Sequence, residues 1–566
     1  MFTNILKRPL TLAFIPLLLA WGVISLLIPP GLCNDDFQIY FQYCNGGEGS
    51  IPFSFYSGVL EGFLLMGLNS LAPSLNWYLI FLHIVGSAAC LGLNLFATTR
   101  CATANLNKYK ITRLLSALAI LSYINFQCIY FSQYTHTGIL CSCVSLFLLY
   151  NWWQGIGSNK QLAASIGLFI CSYELRDQSI TPFLILGLGV LIATLLNHHQ
   201  HPVSRRKIWL IVVYPLLLFT LFATDKLTFA SSESWSEAYA FNKIRMGIQD
   251  ARDNSGINKS ETLNQASVDP EAFKLFQPFT CYPKFCDESS QKLAIVRDIH
   301  QSQRKGFMGS ELAASLGILS QEGYSFKGGD TPMRAITPWI PLLLGLLIIL
   351  PAANRQSVYH ALPMILALLA YFGILLLLQR AVGRVLHPVL YAGGIWLITS
   401  PITDRRLTAS PLIYISGALI AVLMTLFCFR GARWFFTPKA HTWEYCAQHP
   451  QNLYLTTSMQ GLNLYPTGYH GVSLQYFTKT NIVSIADGWC FYSPAYKTAL
   501  KTRNISNPYA EILKENTCIV TQNNIDEEWA LNLVSAIHKK QIGTGLKFSK
   551  IQSVGDFSFW KAVATP

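Results

Sequence analysis

Long apolar runs constrain the fold of this chain more than any other feature of its sequence. Several reach about 20 residues, the length that an α-helix needs to cross the hydrocarbon layer of a membrane. Inside lipid each backbone N–H and C=O must be hydrogen-bonded within its own segment, so these runs predict helices, whereas a barrel would need short alternating strands. The first run, 10–28, follows Lys7 and Arg8 and has no small-residue cleavage site before Cys33. We interpret it as an uncleaved first span and not as a signal peptide.

The composition excludes a soluble enzyme. Charged residues make up 13% of the chain and hydrophobic residues 51%, whereas soluble domains carry about 25% charged residues. The net charge of +13 does not indicate nucleic-acid binding, because the Lys and Arg residues lie between apolar runs, where they act as topology signals. Membrane lipids are therefore predicted partners, and nucleic acid is not.

The order of apolar and polar segments predicts a polytopic helical membrane domain over 1–436 with about eleven spans. The basic N-terminus favours a cytoplasmic start, in a bacterial inner membrane, which places the first polar loop outside. The segment 55–71 carries Glu61 and is predicted to lie along the interface. The stretch 225–334 is too long for a simple loop and predicts an outer subdomain. Residues 437–566 predict a small soluble α/β domain on the outer side, although two arginines after the last span disagree with that placement. Its pattern predicts a helix at 525–540 and short strands at 453–457, 472–477, 482–485, 518–521 and 557–562.

The acidic string Asn34-Asp35-Asp36 directly follows the first span. Two adjacent carboxylates at a membrane surface are costly through mutual repulsion and proximity to lipid. Asp35 and Asp36 are therefore candidates for a catalytic base, or for ligands of a divalent cation such as Mg²⁺ or Mn²⁺. The alternative is a solvated turn in which Asn34 or Asp35 caps the next helix.

Two further polar clusters lie at predicted outer ends of spans. The first is Glu174-Leu175-Arg176-Asp177, in which the planar guanidinium of Arg176 has the right shape to bind phosphate oxygens. The alternative is a local salt bridge from Arg176 to Glu174 or Asp177. In the second cluster, Arg380 and Arg384 precede His387. These arginines either bind a lipid phosphate or extend to the interface, and the histidine alone is more often structural.

The outer loops contain the remaining candidates. Trp235 and Arg245 either contact a sugar or pack an ordinary helix on the bundle. Cysteine spacing suggests two disulfides in an oxidising compartment, Cys33 with Cys44 and Cys281 with Cys286, although spacing alone does not establish geometry.

The layout of these features resembles the glycosyltransferase-C superfamily. The resemblance is carried by the acidic pair after span one, the interfacial segment in the same loop, the many spans and the soluble C-terminal domain. Short strings are similar too: Asn76-Trp77-Tyr78, Arg176-Asp177, and Gly383-Arg384 with Pro388. The resemblance implies a sugar donor linked to polyprenyl phosphate and a glycan or lipid acceptor. Asp35 or Asp36 would then act as base or metal ligand, and Arg176 or Arg384 would neutralise the departing phosphate.

Two other classes of function stay open at this point. In an envelope polysaccharide polymerase or ligase, we would expect the paired outer arginines, and not the acidic pair, to form the site. A transporter of a lipid-linked substrate would favour inverted repeats and broken spans with charged residues at mid-membrane depth, and the sequence contains no such repeat. The chain also lacks a Gly-rich phosphate loop, a GxSxG elbow and an HExxH motif, so ATP-driven transport and serine or zinc hydrolysis have no support.

Overall fold

Two compact units make up the chain, and each is built from separate stretches of sequence. The computed structural model describes residues 8–26, 34–101, 108–130, 133–196, 205–249, 260–276, 291–299, 355–377, 383–400, 440–456, 481–485, 492–523, 527–555 and 557–565, with isolated positions between them. We call Met1–Pro30, Ile80–Thr224 and Met308–Thr437 the bundle unit. We call Gly31–Leu79, Asp225–Phe307 and Pro438–Pro566 the loop unit.

Helices dominate the part of the chain before the C-terminal domain. In chain order they are α1 (Pro9–Ser25), α2 (Asn34–Tyr43), α3 (Val59–Leu71), α4 (Trp77–Cys101), α5 (Lys108–Tyr130), α6 (Tyr134–Trp153), α7 (Asn159–Leu175), α8 (Ile180–Leu196), α9 (Arg205–Ala230), α10 (Glu233–Gln249), α11 (Ser260–Gln265), α12 (Pro270–Phe276), α13 (291–299), α14 (Arg355–Leu377) and α15 (Gly383–Ile398).

The helices of the bundle unit include segments suited to a membrane. Within the described residues, four segments are long and apolar enough to cross one: Trp77–Cys101, Asp177–Leu196, Val212–Ala230 and Val358–Leu376. Several shorter apolar helices accompany them. The chain is thus a multi-pass membrane protein. The prediction of about eleven spans stays a prediction, because parts of the chain, including the apolar run 412–429, lie outside the described residues.

Small residues allow two of the membrane helices to approach closely. Gly189 of α8 faces α14, where an added Cβ would come within 2.8 Å of the Cβ of Ala367 and of the carbonyl oxygen of Pro363. Helices in lipid associate through van der Waals packing of this kind, because lipid tails are as apolar as the helices themselves.

Helix α3, within the segment predicted to lie along the interface, has an unusual distribution of side chains. Its 13 residues extend about 20 Å, which is short for a span. Phe63 and Leu64 are exposed, whereas Glu61 and Asn69 are buried. The helix therefore exposes an apolar face and directs polar groups into the loop unit, as an interfacial helix would.

The C-terminal domain is a small α/β fold within the loop unit. Its strands are β1 (Leu453–Thr456), β2 (Ile482–Ser484), β3 (Thr517–Gln522), β4 (Gly545–Val554) and β5 (Phe557–Thr565), and its helices are α16 (Ala440–Gln448), α17 (Pro494–Thr502) and α18 (Glu527–Ile542). The sheet order is β2-β1-β3-β5-β4. Strand β1 pairs in parallel with β2 and β3, and β5 pairs antiparallel with β3 and β4.

One hydrophobic core joins the three segments of the loop unit. It combines Phe241 and Phe273 from the second long loop with Leu455 and Val483 from the sheet, and Phe41 of α2 packs against it. Because a single core cannot form across a membrane, the two loops and the C-terminal domain lie on the same side. This shared core also means that the C-terminal domain is not an independent appendage.

Candidate functional site

The acidic string predicted as the centre of the site begins α2. Asp36 is fully buried, and the hydroxyl of Tyr78, at the start of α4, donates to its Oδ1 at 3.2 Å. Carboxylates near a helix N-terminus interact favourably with the helix dipole, which suits an Asn-Asp-Asp start. The side chains of Asn34 and Asp35 lie outside the described residues, so their predicted roles stay predictions.

Aromatic rings surround the carboxylate of Asp36. Tyr40 stacks on Tyr78 with ring centroids 5.9 Å apart, and Tyr43 lies 6.4 Å from the same ring. The Tyr40 hydroxyl donates to Oδ1 of Asn69 at 3.0 Å. Burial raises the pKa of Tyr40 well above its ordinary value, so its hydroxyl stays protonated at physiological pH. The result is a polar centre inside an apolar wall, where hydrogen bonds are stronger than in water.

The chain between α2 and α3 is fixed directly to α2. The amide of Phe55 donates to Oε1 of Gln42 at 3.0 Å, and the hydroxyl of Tyr43 donates to the carbonyl of Gly58, also at 3.0 Å. These bonds hold the connecting loop in one conformation against the helix that carries Asp36.

That same loop contacts α10, which contains two predicted site residues. Arg245 is 1% exposed, and its guanidinium donates to the Tyr56 hydroxyl at 2.8 Å and to Oδ1 of Asn242 at 3.0 Å. The ring of Trp235 stacks on Phe53 at 5.4 Å and is 4% exposed. Both side chains hold the loop in place, so their contact with a sugar stays a prediction.

The structure places Arg176 in the bundle unit, at the end of α7. It is 9% exposed, and its Nη1 donates to the Tyr134 hydroxyl and to Oγ1 of Thr135, both at 2.8 Å. Nη2 donates to Oε1 of Gln178 at 3.1 Å. These contacts orient the guanidinium through neutral oxygen atoms, in addition to the ring of Tyr134 5.4 Å away.

The neighbouring carboxylates of this cluster differ in exposure. Glu174 is buried, whereas Asp177 is exposed and its Oδ1 accepts from the amide of Gln178 at 2.7 Å. Asp177 therefore makes a local bond in the turn that leads into α8.

The second arginine cluster is described only in part. Arg384 is exposed near the start of α15, and the ring of His387 lies 6.4 Å from that of Tyr391. Tyr391 also contacts the ring of His136 on α6, at 6.5 Å. Arg380 lies outside the described residues.

The predicted metal and disulfide sites lie only partly within the described residues. No three His, Cys, Asp or Glu side chains converge within the described ranges, and the side chain of Asp35, half of the predicted pair, lies outside them. Cys44 is buried, and burial raises the pKa of its thiol. Its predicted partner Cys33 and the pair Cys281 and Cys286 lie outside the described residues. The divalent cation and both disulfides stay predictions.

Sequence reasoning missed the hydroxyl groups that orient the predicted residues. Tyr78, Tyr56 and Tyr134 each bond a predicted site residue, yet nothing in the sequence assigned them that role. The one available signal was the position of Tyr78 at the start of the span that follows the acidic loop.

No protein-family model and no curated protein matches the chain. It is similar to the solved structure of ArnT from Cupriavidus metallidurans bound to undecaprenyl phosphate, with 12% identity and a TM-score of 0.36 over 97% of each chain. The apo state of the same protein gives 13% identity and a TM-score of 0.34 over 96% of each chain.

Proposed function

We propose that the protein is a membrane glycosyltransferase that moves a sugar from a polyprenyl-phosphate carrier to an envelope glycan or lipid on the outer face of the inner membrane. The observation that carries this proposal is the buried carboxylate of Asp36. It lies on the helix that follows the first apolar helix, and a tyrosine hydroxyl orients it. Burying such a group is costly unless it is hydrogen-bonded, so a carboxylate retained there is a candidate for chemistry.

In the proposed reaction the carboxylate of Asp36 or Asp35 takes the proton of the acceptor hydroxyl. The acceptor oxygen forms a bond to the anomeric carbon, the bond from that carbon to the carrier phosphate breaks, and the phosphate leaves with the electron pair. Negative charge grows on the phosphate during this step, so an arginine beside it would stabilise the transition state. Arg384, Arg380 and Arg176 are the proposed candidates. If a divalent cation binds at the acidic pair, it would supply charge stabilisation there.

The outer-face location is part of the proposal. The loops and the C-terminal domain share one core, so one orientation applies to all three segments. Lys7 and Arg8 before α1 favour a cytoplasmic N-terminus, which assigns that common side to the outside.

The test is whether Asp35→Asn and Asp36→Asn, made separately, restore the surface glycan of a deletion strain. The isosteric amide keeps the volume and removes the base. We expect at least one of the two variants to fail at normal membrane abundance, with transfer reduced by about 10²-fold or more. Asp298→Asn, a carboxylate change at an exposed position in the same unit, is the matched control and should restore the glycan fully. Full function of both acidic variants would overturn the proposal in favour of the arginine-centred or transport alternatives.

A second variant separates orientation of Asp36 from simple loss of packing. Tyr78→Phe keeps the stacked ring and removes the hydroxyl that bonds Oδ1. Tyr496→Phe removes a comparable hydroxyl bond, to the carbonyl of Ser484 at 2.6 Å, within the C-terminal domain. Each should cost about 1 kcal/mol of stability, but only Tyr78→Phe should lower the transfer rate and shift its pH profile. Equal transfer rates and pH profiles in the two variants would show that Tyr78 has only a packing role.

A further inference from the structure

A polar pocket of about 460 Å³ opens in the loop unit. It lies at the amino-terminal ends of three neighbouring strands, where Leu453 begins β1, Asn481 precedes β2 and Asn516 precedes β3. The last turn of α17 and the residues after it form the opposite wall, which includes Thr502. Pockets of roughly this volume bind small molecules or single units of larger ones.

The segment that carries Asp36 supplies one wall of this pocket. After α2 the chain packs on α17 at Gly46, which has φ +67° and where an added Cβ would lie 2.7 Å from the Cβ of Ala499. Only a residue without a side chain allows this approach. The contact brings Glu48, two residues later, into the lining. The pocket is therefore built jointly by the C-terminal domain and the proposed catalytic segment.

The chemistry of the lining fits a neutral ligand rich in hydroxyl groups. Four carboxamide side chains each offer donors and an acceptor, and two carboxylates are balanced by two cations, one pair of which, Lys514 and Glu511, is joined at 2.5 Å. A phosphate would require excess positive charge and a metal ion excess negative charge. These lining residues are Gln451, Asn481, Asn504, Asn516, Glu48, Glu511, Arg503 and Lys514.

We propose that this pocket binds a neutral sugar residue of the acceptor glycan. The proposal rests on the transferase function above and narrows the acceptor to a glycan. Asp36 and the end of α2 at Tyr43 are seven residues apart, about 10 Å of helix. The lining does not include Asp36, so we place in the pocket not the sugar that receives the new bond but a unit further along the chain, held so that the terminal hydroxyl can approach the acidic segment.

A blocking substitution with a matched neighbour tests the site. Thr502 is exposed, and its hydroxyl donates to the carbonyl of Thr498 within its own helix at 3.0 Å. Thr502→Trp places an indole in the pocket without burying a new group in the core. Lys501→Trp adds the same side chain at the adjacent exposed position of α17, outside the lining.

Binding is measured by saturation-transfer NMR on the full-length protein in nanodiscs, with glucose, galactose and N-acetylglucosamine as separate probes. We expect at least one sugar to bind the wild type and Lys501→Trp with the same millimolar affinity. Its affinity for Thr502→Trp should be about tenfold lower or more. Excess inorganic phosphate should not displace it. The proposal is overturned if none of the three sugars binds, if both variants bind equally, or if phosphate displaces the sugar.

Asp36→Asn separates this proposal from the proposed reaction. The variant should lose glycan transfer and keep sugar binding, since the pocket does not include Asp36. If transfer survives in both Asp36→Asn and Asp35→Asn while Thr502→Trp still abolishes sugar binding, the catalytic proposal fails and the sugar site stands. If sugar binding is absent in the wild type while Asp36→Asn abolishes transfer, the sugar site fails and the catalytic proposal stands.

Discussion

The membrane helices of the bundle unit and the shared core of the loop unit place large apolar side chains in different surroundings. In the bundle unit large apolar residues are exposed, such as Leu188 at 59% and Phe219 at 67%. In the loop unit residues of the same kind, such as Phe273 and Leu455, are completely buried in one core. Large exposed apolar surfaces are rare on water-facing proteins and normal on surfaces that face lipid. The difference therefore indicates that the helices of the bundle unit face lipid, whereas the loop unit folds in water around its own core.

Arginines withdrawn from solvent follow the same rule in both units, Arg100 being half-buried and Arg245 fully buried. In the bundle unit the guanidinium of Arg100 lies 2.9 Å from Nε2 of His360 and donates to Oδ1 of Asn151 at 3.4 Å, so one side chain links α4, α14 and α6. In the loop unit Arg245 links α10 to the loop before α3. A buried charge is tolerated only when hydrogen-bonded, and each of these residues connects separate elements. An arginine withdrawn from water in this protein is therefore first a structural link. Burial alone does not identify such a residue as a ligand-binding residue.

The largest expected effect comes from a charged substitution on an exposed apolar surface of the bundle unit. In α9, only 11% of the window from Val212 to Ala230 is buried. Phe219→Arg there should cost about 3 kcal/mol of insertion free energy and sharply reduce the amount of protein in membranes. Trp529→Arg, at a 50% exposed position of α18, should change stability by less than about 0.5 kcal/mol. Immunoblots of membrane fractions measure both, and equal abundance would contradict the assignment of lipid and water to the two units.

A smaller effect tests how α2 is held in the loop unit. Gly46→Ala should destabilise the protein by about 2 kcal/mol, because its positive φ and its close approach to α17 both disfavour a Cβ. Gly67→Ala, at a helical glycine of α3 with no atom within 4 Å of the added Cβ, should be neutral or slightly stabilising. Melting temperatures of the purified variants distinguish them. A Gly46 variant as stable as the wild type would mean that the contact with α17 is loose.

The elements that the sequence predicted well are those set by local pattern. Helix α18 at Glu527–Ile542 matches the helix expected at 525–540, because its acidic first turn, basic last turn and apolar face are all encoded locally. The strand β4 at Gly545–Val554 was missed. It is an edge strand whose residues alternate weakly and are half-exposed, so its pairing with β5 depends on tertiary contacts that leave little trace in the sequence.

The sequence predicted which residue types make up the candidate site but not which side chains contact one another. The adjacency of Asp35 and Asp36 after the first span identified the acidic segment, and the structure buries Asp36 against Tyr78. No local pattern relates position 36 to position 78, or position 245 to position 56, since these pairs meet only after the loop unit has folded. The same holds for the assignment of the C-terminal domain to the core of the two loops.

The smallest expected effect concerns an exposed contact within the loop unit, between α12 and α18. The ammonium of Lys540 bonds Asp269 just before α12 and holds the pKa of that carboxyl below its ordinary value. A depressed folded-state pKa adds stability above the unfolded value of about 4, and this stability is lost as pH falls through the folded-state pKa. Because both side chains are more than 40% exposed, the contribution should stay below about 0.5 kcal/mol.

Melting temperatures at neutral pH and at a pH below the ordinary pKa of the carboxyl measure this contribution. Asp269→Asn should lower the melting temperature slightly at neutral pH, and the difference from wild type should shrink in acid. Lys539→Gln, at the neighbouring exposed position, should do neither. A loss for Asp269→Asn comparable to that of Gly46→Ala would mean that a surface ion pair, and not the shared apolar core, fastens the second loop to the C-terminal domain. The loop unit would then be two weakly joined bodies, and no shared core would hold its segments on one side of the membrane.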